Sequence, residues 1–267
     1  MKTETAPKMK EFSVEKNKNV PQSTLLQKLK DHFYFQFMRL KKEGNIPELI
    51  FWLASNAMMI YTVRFAVHDG FAPSILLATV LNMLATFAVP VFAMIFPRNS
   101  FLGRLSFRTQ TYFDMLVICG SFLCYGFNMY KYISNFDKVQ HFLSGFLVVF
   151  LGAELLKTFF KKKKVEPVFG LIGGVGLSFA IIVIWELFEF TADFLIEGST
   201  NQGYTDNPSF NLLFFKIFGM GAGNEGQYPL FDTVFDMMYA TVGIAVAAVL
   251  YIIVMKIKEK KCAKESV

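Results

Sequence analysis

Apolar residues dominate six long stretches that together make up about half of the chain, each near or above the roughly 20 residues that a helix needs to cross a bilayer. The six stretches are 49–67, 74–96, 111–130, 141–160, 168–195 and 233–255. All are rich in helix-compatible Leu, Ala, Met and Phe, and none shows the alternation of apolar and polar residues that is typical of a membrane β-barrel. The pattern predicts an all-α membrane protein, a bundle of six transmembrane helices.

A polar, Lys-rich region precedes these stretches and contains no apolar segment of the signal-peptide type. Its apolar residues recur at helical spacing: Leu25, Leu26, Leu29, Phe33, Phe37 and Leu40. They predict a cytoplasmic amphipathic helix that either lies on the membrane surface or docks on the protein's own helices. We therefore expect a basic N-terminal region (1–45), a transmembrane domain (46–256) with a Gly-rich outer loop (197–230), and a Lys-rich tail (257–267).

Composition and charge placement support the membrane class and give a topology. Of the 267 residues, 54% are hydrophobic and 18% are charged, against about 45–50% and 25% in soluble domains. If the helices alternate in direction, 23 of the 27 Lys and Arg residues fall on one side, which the positive-inside rule assigns to the cytoplasm together with both termini. The inner side then carries about +12 and the outer side about −6 of the net +6, so the basic charge faces lipid headgroups and a nucleic-acid partner is not expected.

Ionisable residues recur at the outer ends of the fourth, fifth and sixth stretches, where a bilayer makes charge costly. The set comprises Asp137, His141, Glu186, Glu189, Asp193, Asp232 and Asp236. Helical spacing places the members from each helix on one face, so we expect the three faces to meet in an outward-facing pocket. Asp137 and Asp232 have a second interpretation, because both are predicted at helix starts, where Asp is a common N-cap.

The predicted pocket holds little positive charge. Arg64, near the outer end of the first stretch, is the expected ion-pair or anion contact. One Arg cannot neutralise six carboxylates, so either several are protonated or a divalent cation lies among them. Carboxylates with one imidazole suit Mg²⁺, Mn²⁺, Ca²⁺, Fe²⁺ or Zn²⁺. Asp114 and Glu154, by contrast, lie near cytoplasmic helix ends and are expected to reach the membrane surface.

Three motifs carry a resemblance to a known family. They are Asp-x-x-x-His at Asp137–His141, Trp-Glu-x-x-Glu at Trp185–Glu189, and Asp-x-x-x-Asp-Met followed by Gly at Asp232–Gly243. In this order they resemble the YjdF-type bacterial membrane proteins, a family of unknown function, and more distantly the VanZ-like membrane proteins. The resemblance covers about residues 110–255. It implies a multi-pass protein of the bacterial cell membrane whose site contains these residues, and it implies no reaction.

Three functions fit these features. The first is a metal-dependent hydrolase that acts on a lipid, a lipid-linked or a small-molecule substrate at the outer leaflet, with His141 or Glu189 as catalytic base. The chain lacks the His-Glu-x-x-His motif of zinc hydrolases, which weighs against it. The second is a cation- or proton-binding transporter or sensor, and the third is a non-catalytic scaffold whose polar pocket joins helices. The sequence leaves the oligomeric state open.

Overall fold

The computed structural model describes residues 25–68, 73–125, 127, 129–133, 136–160, 165–195 and 228–265. This part of the chain is almost entirely helical and contains no strand, so the predicted all-α fold is confirmed. The helices are α1 (Leu25–Glu43), α2 (Ile46–His68), α3 (Pro73–Ile95), α4 (Phe107–Val117), α5 (Leu123–Tyr125), α6 (Met129–Tyr132), α7 (Phe136–Phe159), α8 (Pro167–Leu195) and α9 (Tyr228–Glu265). Residues 1–24 and most of the predicted Gly-rich outer loop, 196–227, lie outside the described residues.

Where the structure describes them, the six predicted stretches lie almost entirely on helical backbone, but they are not equally suited to cross a membrane. Four helical segments are long and apolar enough: Ile46–Arg64, Phe136–Phe159, Pro167–Leu195 and Leu230–Lys264. The second stretch contributes a shorter apolar run, Thr79–Ile95 in α3. The third is divided, because a π-helical turn, Ile118–Phe122, separates α4 from α5. The predicted count of six spans is therefore approximate.

Close packing of α7 against α8 and α9 brings the ends of these helices together. A Cβ atom on Gly145 in α7 would collide with the backbone of Ala240 in α9, and one on Gly243 in α9 would collide with the backbone of Phe142 in α7. Glycine has no side chain and so lets two helices approach this closely. In a membrane, such close approach favours association because helices associate through dispersion contacts and not through the hydrophobic effect. The ends where α7 and α9 begin therefore lie side by side.

The amphipathic helix α1 docks on the segment between α3 and α4 through its polar residues. Gln36 Nε2 donates to the carbonyl of Gly103 at 3.0 Å, and Arg39 donates to the same oxygen at 2.7 Å and to the carbonyl of Leu105 at 2.9 Å. Its apolar residues point away from the protein, since Leu25 is 75% exposed and Phe37 is 58% exposed. Docking on the protein's own residues is therefore observed. A helix that is polar towards the protein and apolar outside is also suited to a lipid surface, and that placement stays a prediction.

Asp114 differs from its prediction. Its side chain is completely buried at 0% exposure among α2, α3 and α4, and Ser55 Oγ donates to its Oδ2 atom at 3.2 Å. The prediction that Asp114 reaches the membrane surface is wrong, because α2 and α3 cover the face of α4 on which it lies. Glu154, near the C-terminal end of α7, pairs with the half-exposed Lys157 at 2.6 Å.

Candidate functional site

The structure brings together most of the predicted polar residues at the end of the bundle where α7 and α9 begin. Asp137 and His141 lie on the first turns of α7, Glu186 and Glu189 on α8, and Asp232 and Asp236 on α9. All are buried except Asp137, which is partly exposed. Asp193 is partly exposed one turn beyond Glu189, and its carboxylate is not among the converging groups of the described residues.

Lys138 supplies the positive charge at this site. Its Nζ atom lies 2.6 Å from Asp232 Oδ1, 2.7 Å from Asp236 Oδ1 and 3.0 Å from Asp137 Oδ2, and its side chain is 5% exposed. We call these four residues the lysine cluster. A buried ammonium group donates three hydrogen bonds, and here each reaches a different carboxylate.

Arg64 is not the source of this positive charge. Its side chain is exposed on α2, and it forms no ion pair with a carboxylate of the described residues. Helical spacing from Asp137 points Lys138 to a different face of α7, so periodicity alone misses it. The available signal was its place beside Asp137 as one of only four basic residues on the predicted outer side, together with the reach of a four-carbon side chain.

His141 lies between the lysine cluster and the two glutamates of α8. Its Nε2 atom is 3.5 Å from Asp137 Oδ1 and 3.7 Å from Asp236 Oδ1. On the opposite side of the ring, Nδ1 is 3.8 Å from Glu186 Oε1. The imidazole therefore faces carboxylates from all three helices.

The two glutamates differ in their partners. Trp185 Nε1 donates to Glu189 Oε1 at 2.7 Å, one helical turn away. Both oxygens of Glu186 are buried without a hydrogen bond, although the Thr233 side chain approaches this carboxylate outside ordinary hydrogen-bond geometry. Because buried polar atoms almost always have a partner, Glu186 needs an explanation.

The helix bounds decide one of the N-cap interpretations. Helix α9 begins at Tyr228, so Asp232 lies a full turn inside it and does not cap its start. Asp137 is in the first turn of α7, where a carboxylate interacts favourably with the positive end of the helix. The burial of Asp232 is therefore explained by Lys138 and not by capping.

Two groups of three side chains bring possible metal ligands within 4.8 Å of one another: Asp137, His141 and Asp236 in the first group, and His141, Glu186 and Glu189 in the second. In the first group, the Lys138 ammonium already contacts both carboxylates, so a metal ion would meet a fixed positive charge. The second group, which we call the Glu–His triad, has no such cation among its described neighbours. It is the better candidate metal site.

A cavity of about 230 Å³ adjoins the Glu–His triad. Its wall consists of residues from α4, the π-helical turn, α7 and α8, among them Leu116, Gly120, Ser144, Val148, Ile182 and Trp185. His141 belongs both to this wall and to the triad. An apolar space of this kind, with a few polar groups at one side, is the usual form of a small-molecule or lipid site.

Residues 50–257 match the family described as predicted membrane protein (DUF2238), and the chain belongs to this family. The match extends from α2 into α9 and includes the lysine cluster and the Glu–His triad. No curated protein and no solved structure matches the chain. The predicted membership of an uncharacterised multi-pass membrane family is thus confirmed, whereas the more distant similarity to VanZ-like proteins stays a prediction.

Proposed function

We propose that this member of the DUF2238 family binds a divalent cation within the membrane through the Glu–His triad. One observation carries the proposal: both carboxylate oxygens of Glu186 are buried and receive no hydrogen bond. An ionised carboxylate that is buried without a hydrogen bond of ordinary geometry costs several kcal/mol, and His141 Nδ1 at 3.8 Å and the Thr233 side chain offset only part of that cost. A cation between His141, Glu186 and Glu189 would remove that cost and use the lone pairs that now have no donor.

The triad needs only a small movement to bind an ion. Its ligand atoms lie within 4.8 Å of one another, whereas ligands about 2.1 Å from one ion are at most about 4.2 Å apart. Nδ1 of His141 faces Glu186, and Nε2 faces Asp137 and Asp236, which is the arrangement by which second carboxylates orient a metal-bound imidazole. One imidazole with carboxylates favours Mn²⁺, Fe²⁺ or Zn²⁺ over Ca²⁺.

We further propose that the site hydrolyses a lipid or lipid-linked substrate. The adjoining cavity supports this, because His141 is shared between its wall and the triad and an apolar chain would place its polar end beside the ion. A bound divalent ion lowers the pKa of its water towards neutrality. Trp185 fixes one oxygen of Glu189, which leaves the other to bind the ion or to accept the proton of the attacking water.

A scaffold role has support in the lysine cluster. Its ion pairs of 2.6 Å and 2.7 Å connect Lys138 on α7 to Asp232 and Asp236 on α9. These contacts need no ligand. We therefore assign the lysine cluster to helix packing and the Glu–His triad to binding.

The metal content of the purified full-length protein tests the proposal. We expect about one divalent ion per chain by elemental mass spectrometry, and its loss in Glu186→Gln and Glu189→Gln. The matched control is Glu154→Gln, which changes a partly buried carboxylate at the opposite end of α7 and should keep the ion. The proposal is contradicted if the purified protein contains no metal and its stability does not change on addition of chelator or of Mn²⁺, Fe²⁺ or Zn²⁺. Equal metal content in all three variants also contradicts it.

The same proposal places the protein in the bacterial cell membrane with both termini in the cytoplasm. The carboxylates of the triad then lie near the outer surface, and α1 lies at the inner surface. The support is the distribution of Lys and Arg, of which 23 of 27 fall on one side of alternating helices.

A further inference from the structure

Asp114 forms a second buried polar group, on α4 and apart from the residues at the ends of α7 and α9. It is 0% exposed, and only Ser55 on α2 donates a hydrogen bond to it, at 3.2 Å from Oγ to Oδ2. Thr86 on α3 is also 0% exposed, and its hydroxyl approaches the carboxylate outside ordinary hydrogen-bond geometry. Oδ1 of Asp114 and Oγ1 of Thr86 both lack a hydrogen-bond partner.

The side chains of Asp114, Ser55 and Thr86 together offer more oxygen lone pairs than hydrogen-bond donors. No Lys, Arg or His of the described residues forms an ion pair with Asp114. An ionised carboxylate inside a membrane is costly unless a partner neutralises it, and one hydroxyl donor is a weak partner. An unpartnered carboxylate oxygen of Asp114 and an unpartnered hydroxyl of Thr86, from two different helices, are ligands of the kind that a hard cation takes.

Charge and ligand type narrow the identity of the cation. One carboxylate balances one positive charge, whereas a divalent ion would leave an uncompensated charge in the apolar interior. The ligands are all oxygen atoms, two of them hydroxyls, which excludes the softer ions that need nitrogen or sulfur. K⁺ is typically held by rings of backbone carbonyls. Na⁺ fits this small set best.

A buried apolar cluster lies next to Asp114, Ser55 and Thr86 within the bundle. Met59, Ile118 and Phe122 form a buried apolar cluster that begins one turn beyond Ser55 on α2 and Asp114 on α4. The π-helical turn starts at Ile118, four residues after Asp114. Such turns are rare and often accompany functional sites, because they alter the regular hydrogen bonding of a helix.

We propose that Asp114, Ser55 and Thr86 form a sodium-binding site between α2, α3 and α4. The site is independent of the Glu–His triad and binds a different class of ion. Asp114 supplies the charge, and the two hydroxyls supply neutral ligands from the neighbouring helices. Binding would join three helices that otherwise meet around an unneutralised carboxylate.

The test uses the full-length protein in detergent micelles with a chelator present, so that divalent ions do not contribute. NaCl is exchanged for choline chloride at constant ionic strength, and both the unfolding temperature and bound radioactive ²²Na⁺ are measured. We expect a saturable rise in the unfolding temperature, with about one Na⁺ bound per chain. Thr86→Val removes one ligand and should weaken the apparent affinity about tenfold, the effect of roughly 1.4 kcal/mol. Asp114→Asn should abolish binding.

The matched control is Thr241→Val, because Thr241 is exposed on α9 and its hydroxyl bonds only to its own helix, at the carbonyl of Met237. This variant should bind Na⁺ like the unaltered protein. Absence of Na⁺ binding overturns the proposal, as does an equal loss in Thr86→Val and Thr241→Val. Stabilisation by acid without any response to Na⁺ also overturns it and identifies Asp114 as a proton site. If Asp114→Asn does not fold, Thr86→Val decides the matter.

Discussion

Replacing Lys138 by Met tests how the N-terminal ends of α7 and α9 are held together. The substitution keeps the length of the side chain but removes the ammonium group that contacts Asp137, Asp232 and Asp236 at 2.6–3.0 Å. The three carboxylates then face one another without the positive charge that offsets their mutual repulsion. Asp236 is 1% exposed, so water cannot replace the lost partner.

The expected loss is large for a single substitution. Removing one partner of a buried ion pair costs about 3–5 kcal/mol, because the remaining charge is left buried. Lys157→Met is the matched control, since Lys157 pairs with Glu154 at 2.6 Å but its side chain is 47% exposed. Exposed pairs contribute about 0–1 kcal/mol, so the two variants should differ by at least about 2 kcal/mol.

Equilibrium unfolding in mixed detergent micelles measures both variants. Adding Asp232→Asn and Asp236→Asn to Lys138→Met should recover part of the loss, because the added substitutions remove the charges that Lys138 neutralised. The reasoning is refuted if Lys138→Met and Lys157→Met unfold alike. It is also refuted if the added substitutions destabilise the protein further by the sum of their separate effects.

Three further predictions concern packing, docking and topology. Gly243→Ala should destabilise the protein by more than about 2 kcal/mol in thermal unfolding, because the added Cβ atom would collide with the α7 backbone. Gly176→Ala is the control: its Cβ atom meets no atom within 4 Å, and the substitution should stabilise α8 by up to about 1 kcal/mol. Equal effects of the two substitutions would contradict the helix packing. Arg39→Ala should speed proteolysis of α1, because it loses two hydrogen bonds to the segment after α3, and an unchanged cleavage rate would contradict docking. In intact cells, Asp206→Cys should react with an impermeant thiol reagent while the native, exposed Cys262 should react only after permeabilisation, and the reverse result would overturn the topology.

Much of the site could be predicted from the sequence because charge inside a membrane is so restricted. Carboxylates inside a membrane must face a partner or water. The polar faces of α7, α8 and α9 are therefore expected to face one another. The convergence of His141 with Glu186 and Asp236 follows from this constraint. The same reasoning does not require knowledge of the loops.

The partners of individual side chains depend on details that periodicity does not contain. The sequence favours Arg64 as the counter-charge because it lies in an apolar stretch, but Arg64 is exposed and the long Lys138 side chain reaches the carboxylates. The sequence allows Asp232 at a helix start, yet α9 begins one turn earlier. The position of Asp114 predicts that it reaches the membrane surface, but the packing of α2 and α3 over α4 buries it.

The most direct test of the divalent-cation proposal is a structure of the full-length protein prepared with Mn²⁺, with diffraction data collected at the manganese absorption edge. We predict one anomalous peak among Nδ1 of His141 and the carboxylate oxygens of Glu186 and Glu189, at about 2.1–2.3 Å from each. We also predict Lys138 still bound to its carboxylates. A peak that displaces Lys138 from Asp236, or the absence of any peak beside Glu186 at saturating Mn²⁺, would contradict the account.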